Sequence, residues 1–262
     1  MKTMRAELSD KLQSLELHPL ADWHIGDAMS DWKLIQKTIK HIQETPNAYC
    51  ILGGDLMDTA VAASIGDTYA ANLQPMQQLE ACAKIFEPIK DKILCIVHGN
   101  HENRVYKSDG IDMTAIMAAQ LGLADKYSPT TALLFLSFGK NKDYAQSTNH
   151  ARKICYAVYV THGSGGGRKE GGKINRLADY ATIVDADVYI CGHTHLPASF
   201  KTGFVRTNYK ARTTENVTKL FVNTASALDY GGYGDVQGYK PGSKDNPVIY
   251  LSGRERKINA FV

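Results

Sequence analysis

Apolar runs and apolar stripes alternate along the first two-thirds of the chain. Leu15 to Ala21 reads as a first strand, running into Asp22-Trp23-His24. Trp32, Ile35, Ile39 and Ile42 then recur at helical spacing, with Ser30 placed to cap the helix and Pro46 to stop it. Tyr49-Cys50-Ile51-Leu52 has the pattern of a buried strand and ends in Gly53-Gly54-Asp55-Leu56-Met57-Asp58. Pro75 opens a helix through Phe86, striped by Met76, Leu79, Ala83 and Phe86. Ile93–Val97 is a third buried strand, ending in His98-Gly99-Asn100-His101-Glu102-Asn103-Arg104. A helix is expected over Ile111–Leu121, stopped by Gly122. Thr131–Phe138 and Ile154–Val160 are strand-like around a polar loop, Lys140–Asn149, and the second ends in Thr161-His162-Gly163. A flexible basic loop, Ser164–Lys173, leads to a helix over Asn175–Val184 and a short strand, Val188–Cys191, that ends in Gly192-His193-Thr194-His195. Beyond Pro197 the β-formers dominate, at Ala198–Arg206, Lys219–Asn223 and Val248–Leu251. Helix and strand alternate early and strands prevail late, so the expectation is one α/β domain with two sheets over residues 1–262.

Composition narrows the partners more than the fold. The net charge of +3, from 30 basic and 27 acidic residues, is too small to imply nucleic acid by itself. The five cysteines form no C-x-x-C pair, and four of them, Cys50, Cys95, Cys155 and Cys191, sit in apolar strand-like runs. They read as reduced core thiols of a cytoplasmic protein. Met1 to Gln13 is polar, with no apolar segment of a secretory signal, and no run approaches the length of a membrane span.

The chemistry collects at strand ends. Five strand-like runs stop at Asp22/His24, Asp55/Asp58, Asn100/His101, His162 and His193/His195. In open α/β sheets ligands bind outside the carboxyl ends of the strands, so five such ends point to one shared site. Any single block is ordinary turn chemistry; Gly54-Asp55 alone is a common turn. Imidazole, carboxylate and amide oxygen together suit Mn, Fe or Zn better than Ca or Mg, and the absence of cysteine ligands argues against a closed structural zinc site. Asp22, His24, Asp55, Asn100, His162, His193 and His195 are too many ligands for one ion and enough for two sharing a carboxylate. Two such ions clamp the attacking and leaving oxygens of an in-line displacement and lower the pKa of a shared water, which favours phosphoester hydrolysis. His98, His18, His41 and His150 match no block and read as structural or surface groups.

The ordered set Asp22-x-His24, Gly54-Asp55-x-x-Asp58, Gly99-Asn100-His101-Glu102, His162 and Gly192-His193-x-His195 resembles the calcineurin-like metallophosphoesterase superfamily. The resemblance implies a two-sheet β-sandwich flanked by helices, in four αββα layers. It implies that Asp22, His24 and His195 hold one divalent transition metal, that Asn100, His162 and His193 hold another, and that Asp55 bridges them. Manganese is the expected metal, with Fe, Zn or Ni as alternatives. His101 would sit over the phosphate and protonate the leaving oxygen, with Asp58 orienting it, while a metal-bridging hydroxide attacks in line. Arg104, Arg168, Lys169 and Lys173 are candidate substrate contacts, and the basic glycine-rich loop could act as a lid or clamp on phosphate. The expected substrate is a nucleotide or nucleic-acid phosphodiester. A phosphomonoesterase or nucleotide pyrophosphatase is the alternative, and an inactive scaffold or binding module a remoter one. The Tyr- and Gly-rich stretch Leu228–Tyr239 reads as turns with packing aromatics rather than a base-stacking platform.

Overall fold

The computed structural model describes residues 1–60, 71–141 and 153–262. Its strands are β1 (Lys2–Glu7), β2 (Ser14–Leu20), β3 (Ala48–Leu52), β4 (Ile93–Val97), β5 (Tyr127–Ser128) and β6 (Ala132–Phe138), followed by β7 (Ile154–Thr161), β8 (Val188–Cys191), β9 (Ala198–Asn208), β10 (Thr213–Asn223), β11 (Val248–Ser252) and β12 (Ile258–Phe261). The helices are α1 (Trp32–Glu44), α2 (Pro75–Phe86), α3 (Glu102–Asp109), α4 (Met113–Gln120), α5 (Glu170–Asp179) and the short α6 (Gly232–Val236).

Alternation along β2 explains the layering. Leu15 and Leu17 face inward with Ile51 of β3 and meet Leu134, Tyr156, Val158, Ile190 and Val222 of the opposite sheet. Leu20, Cys50 and Leu52 face outward, where Ile35, Ile39 and Ile42 of α1, Leu79 and Phe86 of α2, and Met117 of α4 cover them. The first sheet runs β12-β11-β2-β3-β4-β5 and the second β1-β6-β7-β8-β10-β9. A smaller apolar cluster, built on Tyr159, Tyr189 and Phe221, seats Leu177 of α5 on the outer face of the second sheet. The result is the expected helix–sheet–sheet–helix stack. Within the first sheet β2, β3 and β4 are parallel neighbours, and within the second β7, β8 and β10 are.

Several elements differ from the sequence expectation. Met1–Gln13 is not merely a polar tail: β1 lies at the edge of the second sheet, parallel to β6. The cap of α1 is Asp31, whose carboxylate accepts the Leu34 N–H, while the Ser30 hydroxyl instead donates to the His24 carbonyl. The other end of α1 is closed by the Lys92 ammonium, which donates to the carbonyls of Ile42, Gln43 and Thr45 and so satisfies acceptors that a helix terminus leaves open. The loop after His162 is shorter than expected, because α5 already begins at Glu170 and ends at Asp179. Helix α3, unforeseen, starts directly after His101, and β12 adds a last edge strand. Cys155 is exposed on β7, and the other four cysteines are buried. His150 and residues 142–149 of the polar loop lie outside the described residues. Among the described residues no helix is long and apolar enough to cross a membrane.

Candidate metal centre

Parallel pairing sends the ends of β2, β3 and β4 to the same edge of the sandwich, facing the ends of β7 and β8. The side chains then converge because the backbone bends in a costly way. Asp22, His24, Asp55, His193 and His195 all hold a left-handed φ, between 45° and 68°. Non-glycine residues pay for that region, and such outliers gather at functional sites. In both Asp22-Trp23-His24 and His193-Thr194-His195 the left-handed residues alternate, so side chains two apart turn toward one point. The bend in the second block therefore comes from the histidines themselves and not from a positive φ at Gly192. The glycine serves a different need: a Cβ there would stand 2.9 Å from Asp22 Oδ2.

Two clusters result. In the first, His195 Nε2 lies 3.3 Å from both Asp22 Oδ1 and His24 Nε2. The other Asp22 oxygen accepts from the Thr224 hydroxyl, and the carboxylate also receives the His193 N–H. In the second, the His162 Nδ1–H donates to the Gly53 carbonyl at 2.9 Å. In the neutral ring that leaves His162 Nε2 as an acceptor facing Asn100 Oδ1 at 2.8 Å and Asp55 Oδ2 at 3.1 Å; without a cation a proton takes that place. His193 is fixed in the same manner: its Nε2–H donates to the Gly165 carbonyl at 3.0 Å, and its Nδ1 faces Asn100 Oδ1 at 2.6 Å. Four acceptor atoms from four residues thus point at one another, an arrangement that calls for a cation. Carbonyls that fix the tautomer of a ligating imidazole are the usual support of such a site. The donor chemistry fits divalent transition metals.

The same demand for positive charge shows in the titration of these groups. Burial opposes protonation of His162, but the Asp55 charge and hydrogen bond beside it push its pKa up to about 10. Burial raises Asp55, and the facing His162 outweighs it and holds the carboxyl well below the usual range. His24 is driven down, chiefly by burial and next by the neighbouring His101. Asp55 sits with His162 and His193, whereas the tight first group is Asp22, His24 and His195.

His101 stands beside both clusters. Its ring centroid is 4.3 Å from that of His24, and its backbone N–H donates to Asp55 Oδ1 at 2.8 Å. The His101 Nδ1–H donates to the Asp58 carbonyl at 2.8 Å, with Asp58 Oδ1 at 3.2 Å. Arg104, one turn along α3, lays its guanidinium against the same ring, with Nη2 2.8 Å from Nε2. The other basic candidates are more dispersed. Lys173 donates to the Thr194 carbonyl at 2.8 Å, between His193 and His195. Arg168 instead turns to the Gln237 carbonyl and lies over the Tyr239 ring, and Lys169 is exposed. Residues 163–165 contribute through the Gly165 carbonyl rather than through a nest of N–H groups. His98 packs beside Asp112 and Tyr127 and is not among the clustered groups.

Two residues had escaped assignment. Glu102 is fully buried, and its carboxylate accepts the N–H groups of Asp55, Leu56 and Met57 at 3.1, 2.7 and 3.0 Å. It therefore holds the turn that presents Asp55. Glu102 stood inside a recognised block, but its partners lie more than forty residues away in sequence. Thr224 follows β10, a strand parallel to β8, and the strand-end rule applied once more would have found it. Close approach also fixes two glycines: a Cβ on Gly99 would overlap the Asp55 backbone nitrogen, and one on Gly54 would stand 2.7 Å from Gly99 Cα. Removing the carboxylate strands three N–H groups, so Glu102→Ala should destabilise the chain by about 3–5 kcal/mol, whereas Glu102→Gln keeps an acceptor and should lose about half of that. Urea unfolding monitored by circular dichroism reads the difference; equal midpoints for Glu102→Ala and the wild type would refute the anchoring role.

The family model for calcineurin-like phosphoesterases matches residues 20–197. No curated protein sequence matches the chain. Among solved structures the chain is similar to a Streptococcus pneumoniae protein described as a predicted phosphoesterase, at 14% identity over 95% of this chain and 97% of that one, with a TM-score of 0.34. It is similar to a metallophosphoesterase from Sphaerobacter thermophilus, at 10% identity over 95% and 89%, TM-score 0.42. It is also similar to wild-type Vps29 from Entamoeba histolytica, solved with zinc, at 12% identity over 94% and 97%, TM-score 0.40.

Proposed function

Because the chain belongs to the calcineurin-like phosphoesterase family, and is thus a metal-dependent phosphoester hydrolase, we propose that it cleaves phosphodiester bonds of nucleotides or nucleic acid. In this reading Asp22, His24 and His195 hold one divalent ion, Asn100, His162 and His193 a second, and Asp55 belongs to both. Manganese is the proposed metal. Bound ions of this kind supply a reactive water near neutral pH and offset charge on the phosphoryl oxygens.

The rest falls to side chains. His101 delivers a proton to the leaving oxygen through Nε2, because Nδ1 is committed to Asp58. Burial and the Arg104 charge oppose protonation of His101, but the Asp58 hydrogen bond and the Asp55 charge outweigh them and raise its pKa, which favours the acid form once Arg104 turns from Nε2 to substrate. Asp58 keeps the ring in one tautomer, and Arg104 is placed to exchange its contact with His101 for a substrate phosphate oxygen. Lys173 and the Gly165 carbonyl hold the histidine turn that completes the ion-binding set.

The observation that carries the phosphodiester reading is this Asp58–His101–Arg104 unit next to the acceptor clusters. The alkoxide of a monoester or a diester needs a positioned acid, so His101 suits both; what favours the diester is that a monoanion needs only modest positive charge beside it, which Arg104 supplies. The test pairs metal analysis with turnover. Bis-p-nitrophenyl phosphate should be hydrolysed with kcat/KM at least tenfold above that for p-nitrophenyl phosphate. The reverse order would replace this reading with a phosphomonoesterase. No turnover of either substrate by metal-loaded protein would return the chain to a binding role.

A further inference from the structure

Three ionisable groups that the catalytic centre does not use meet midway along β2. Glu16 and His18 alternate on that strand and so share its outer face. His41, in the last turn of α1, comes down onto them. Glu16 Oε2 lies 3.1 Å from His41 Nε2 and 3.5 Å from His18 Nε2, and the two imidazole rings meet edge to face at 5.2 Å. His18 is 6% exposed, and its Nε2 is buried without a hydrogen-bond partner. A buried polar atom left unmatched is costly, and a Glu16–His41 ion pair, which would account for those two residues, does nothing for it. The orphaned nitrogen faces the same carboxylate oxygen that His41 faces.

We infer that Glu16, His18 and His41 form a second, independent metal site of the zinc class, with water completing the coordination. Two imidazoles and one carboxylate are a common three-ligand set for zinc. Bonds of about 2.0–2.1 Å at tetrahedral angles separate ligand atoms by about 3.4 Å, and the two observed separations bracket that value. The site is closed below by His18 and open above, because the His41 side chain is 50% exposed, which leaves room for water or another exchangeable ligand. An ion there fastens the end of α1 to β2. The role is structural: β2 runs on to Asp22 and His24, but none of the three residues is grouped with the catalytic clusters.

Zinc is the probe. Chelator-stripped full-length protein is titrated with zinc, and bound metal is counted after equilibrium dialysis for the wild type, His41→Ala and Glu16→Gln. The wild type should bind one equivalent more than either variant, and Asp55→Asn, altered at the other centre, should keep that equivalent. Cobalt substitution should add visible absorption that both variants lack. The zinc-dependent rise in Tm should be several degrees larger for the wild type than for His41→Ala. Both variants should keep phosphodiesterase turnover within twofold of the wild type, which also reports that they fold. Glu16→Gln preserves size and packing, so it gives the count even if His41→Ala unfolds. Equal zinc stoichiometry in the wild type and Glu16→Gln overturns the proposal, whatever the activity of the catalytic centre.

Discussion

Asp55→Asn should lower turnover by about three orders of magnitude and reduce tightly bound metal below two ions per chain. The substitution is nearly isosteric. It keeps an oxygen for the His101 backbone N–H, and the Glu102 contacts run to backbone, so the Asp55 turn should keep its shape, while the metal-free protein loses the buried Asp55–His162 pair and with it some Tm. What it removes is a buried negative charge 3.1 Å from His162 Nε2, at the point where acceptors from both sheets converge. Electrostatic stabilisation by a metal pair contributes several kcal/mol, and each 1.36 kcal/mol is a factor of ten in rate, which sets the expected loss. Elemental analysis after dialysis, read beside kcat, separates the two effects. An Asp55→Asn protein that retains two tightly held ions would refute the shared role of this carboxylate.

His101→Ala should show the opposite combination: unchanged metal content and a loss of about 10²–10⁴ in turnover, the usual contribution of a positioned acid or base. The ring is held by Asp58 and Arg104 and groups with His24 and Asp58, apart from the Asp22–His24–His195 and Asp55–His162–His193 sets. The size of the loss should depend on the leaving group. A p-nitrophenolate departs without much help, whereas the alkoxide of a nucleoside does not. The variant should therefore be impaired at least tenfold more on a dinucleotide than on bis-p-nitrophenyl phosphate. An equal loss on both substrates would mean that His101 orients phosphate and does not protonate the leaving oxygen, and full activity on both would remove it from the reaction.

The strand ends were legible because burial and chemistry coincide there. A buried apolar run that stops at Asp, Asn or His is easily recognised, and parallel pairing does the rest. Helix α1 was equally clear from Ile35, Ile39 and Ile42, all of them buried. What sequence could not supply was anything fixed by a distant partner. Among the residues of β1 only Met4 is buried, and the segment is a strand because β6 offers it an edge. Helix α3 buries only Glu102 and Val105, so it has no apolar stripe to reveal it. Glu102 shows the limit most sharply, since a glutamate beside a histidine suggests surface chemistry, and only tertiary packing turns it into the anchor of the Asp55 turn. The convergence of His193 and His195 likewise needed backbone angles that side-chain spacing does not encode.

Each acceptor cluster draws on both sheets. Asp22 and His24 follow β2 and His195 follows β8, while Asp55 and Asn100 follow β3 and β4 and His162 and His193 follow β7 and β8. Holding an ion therefore requires the two sheets to keep their spacing, and anything that binds only the assembled form draws stability from the same equilibrium. Ion affinity at this edge becomes a gauge of how well the sandwich interior is packed. A cavity opened among Ile51, Val158 and Ile190, out of contact with any substrate, would be registered first as leakage of metal and only afterwards as loss of the fold.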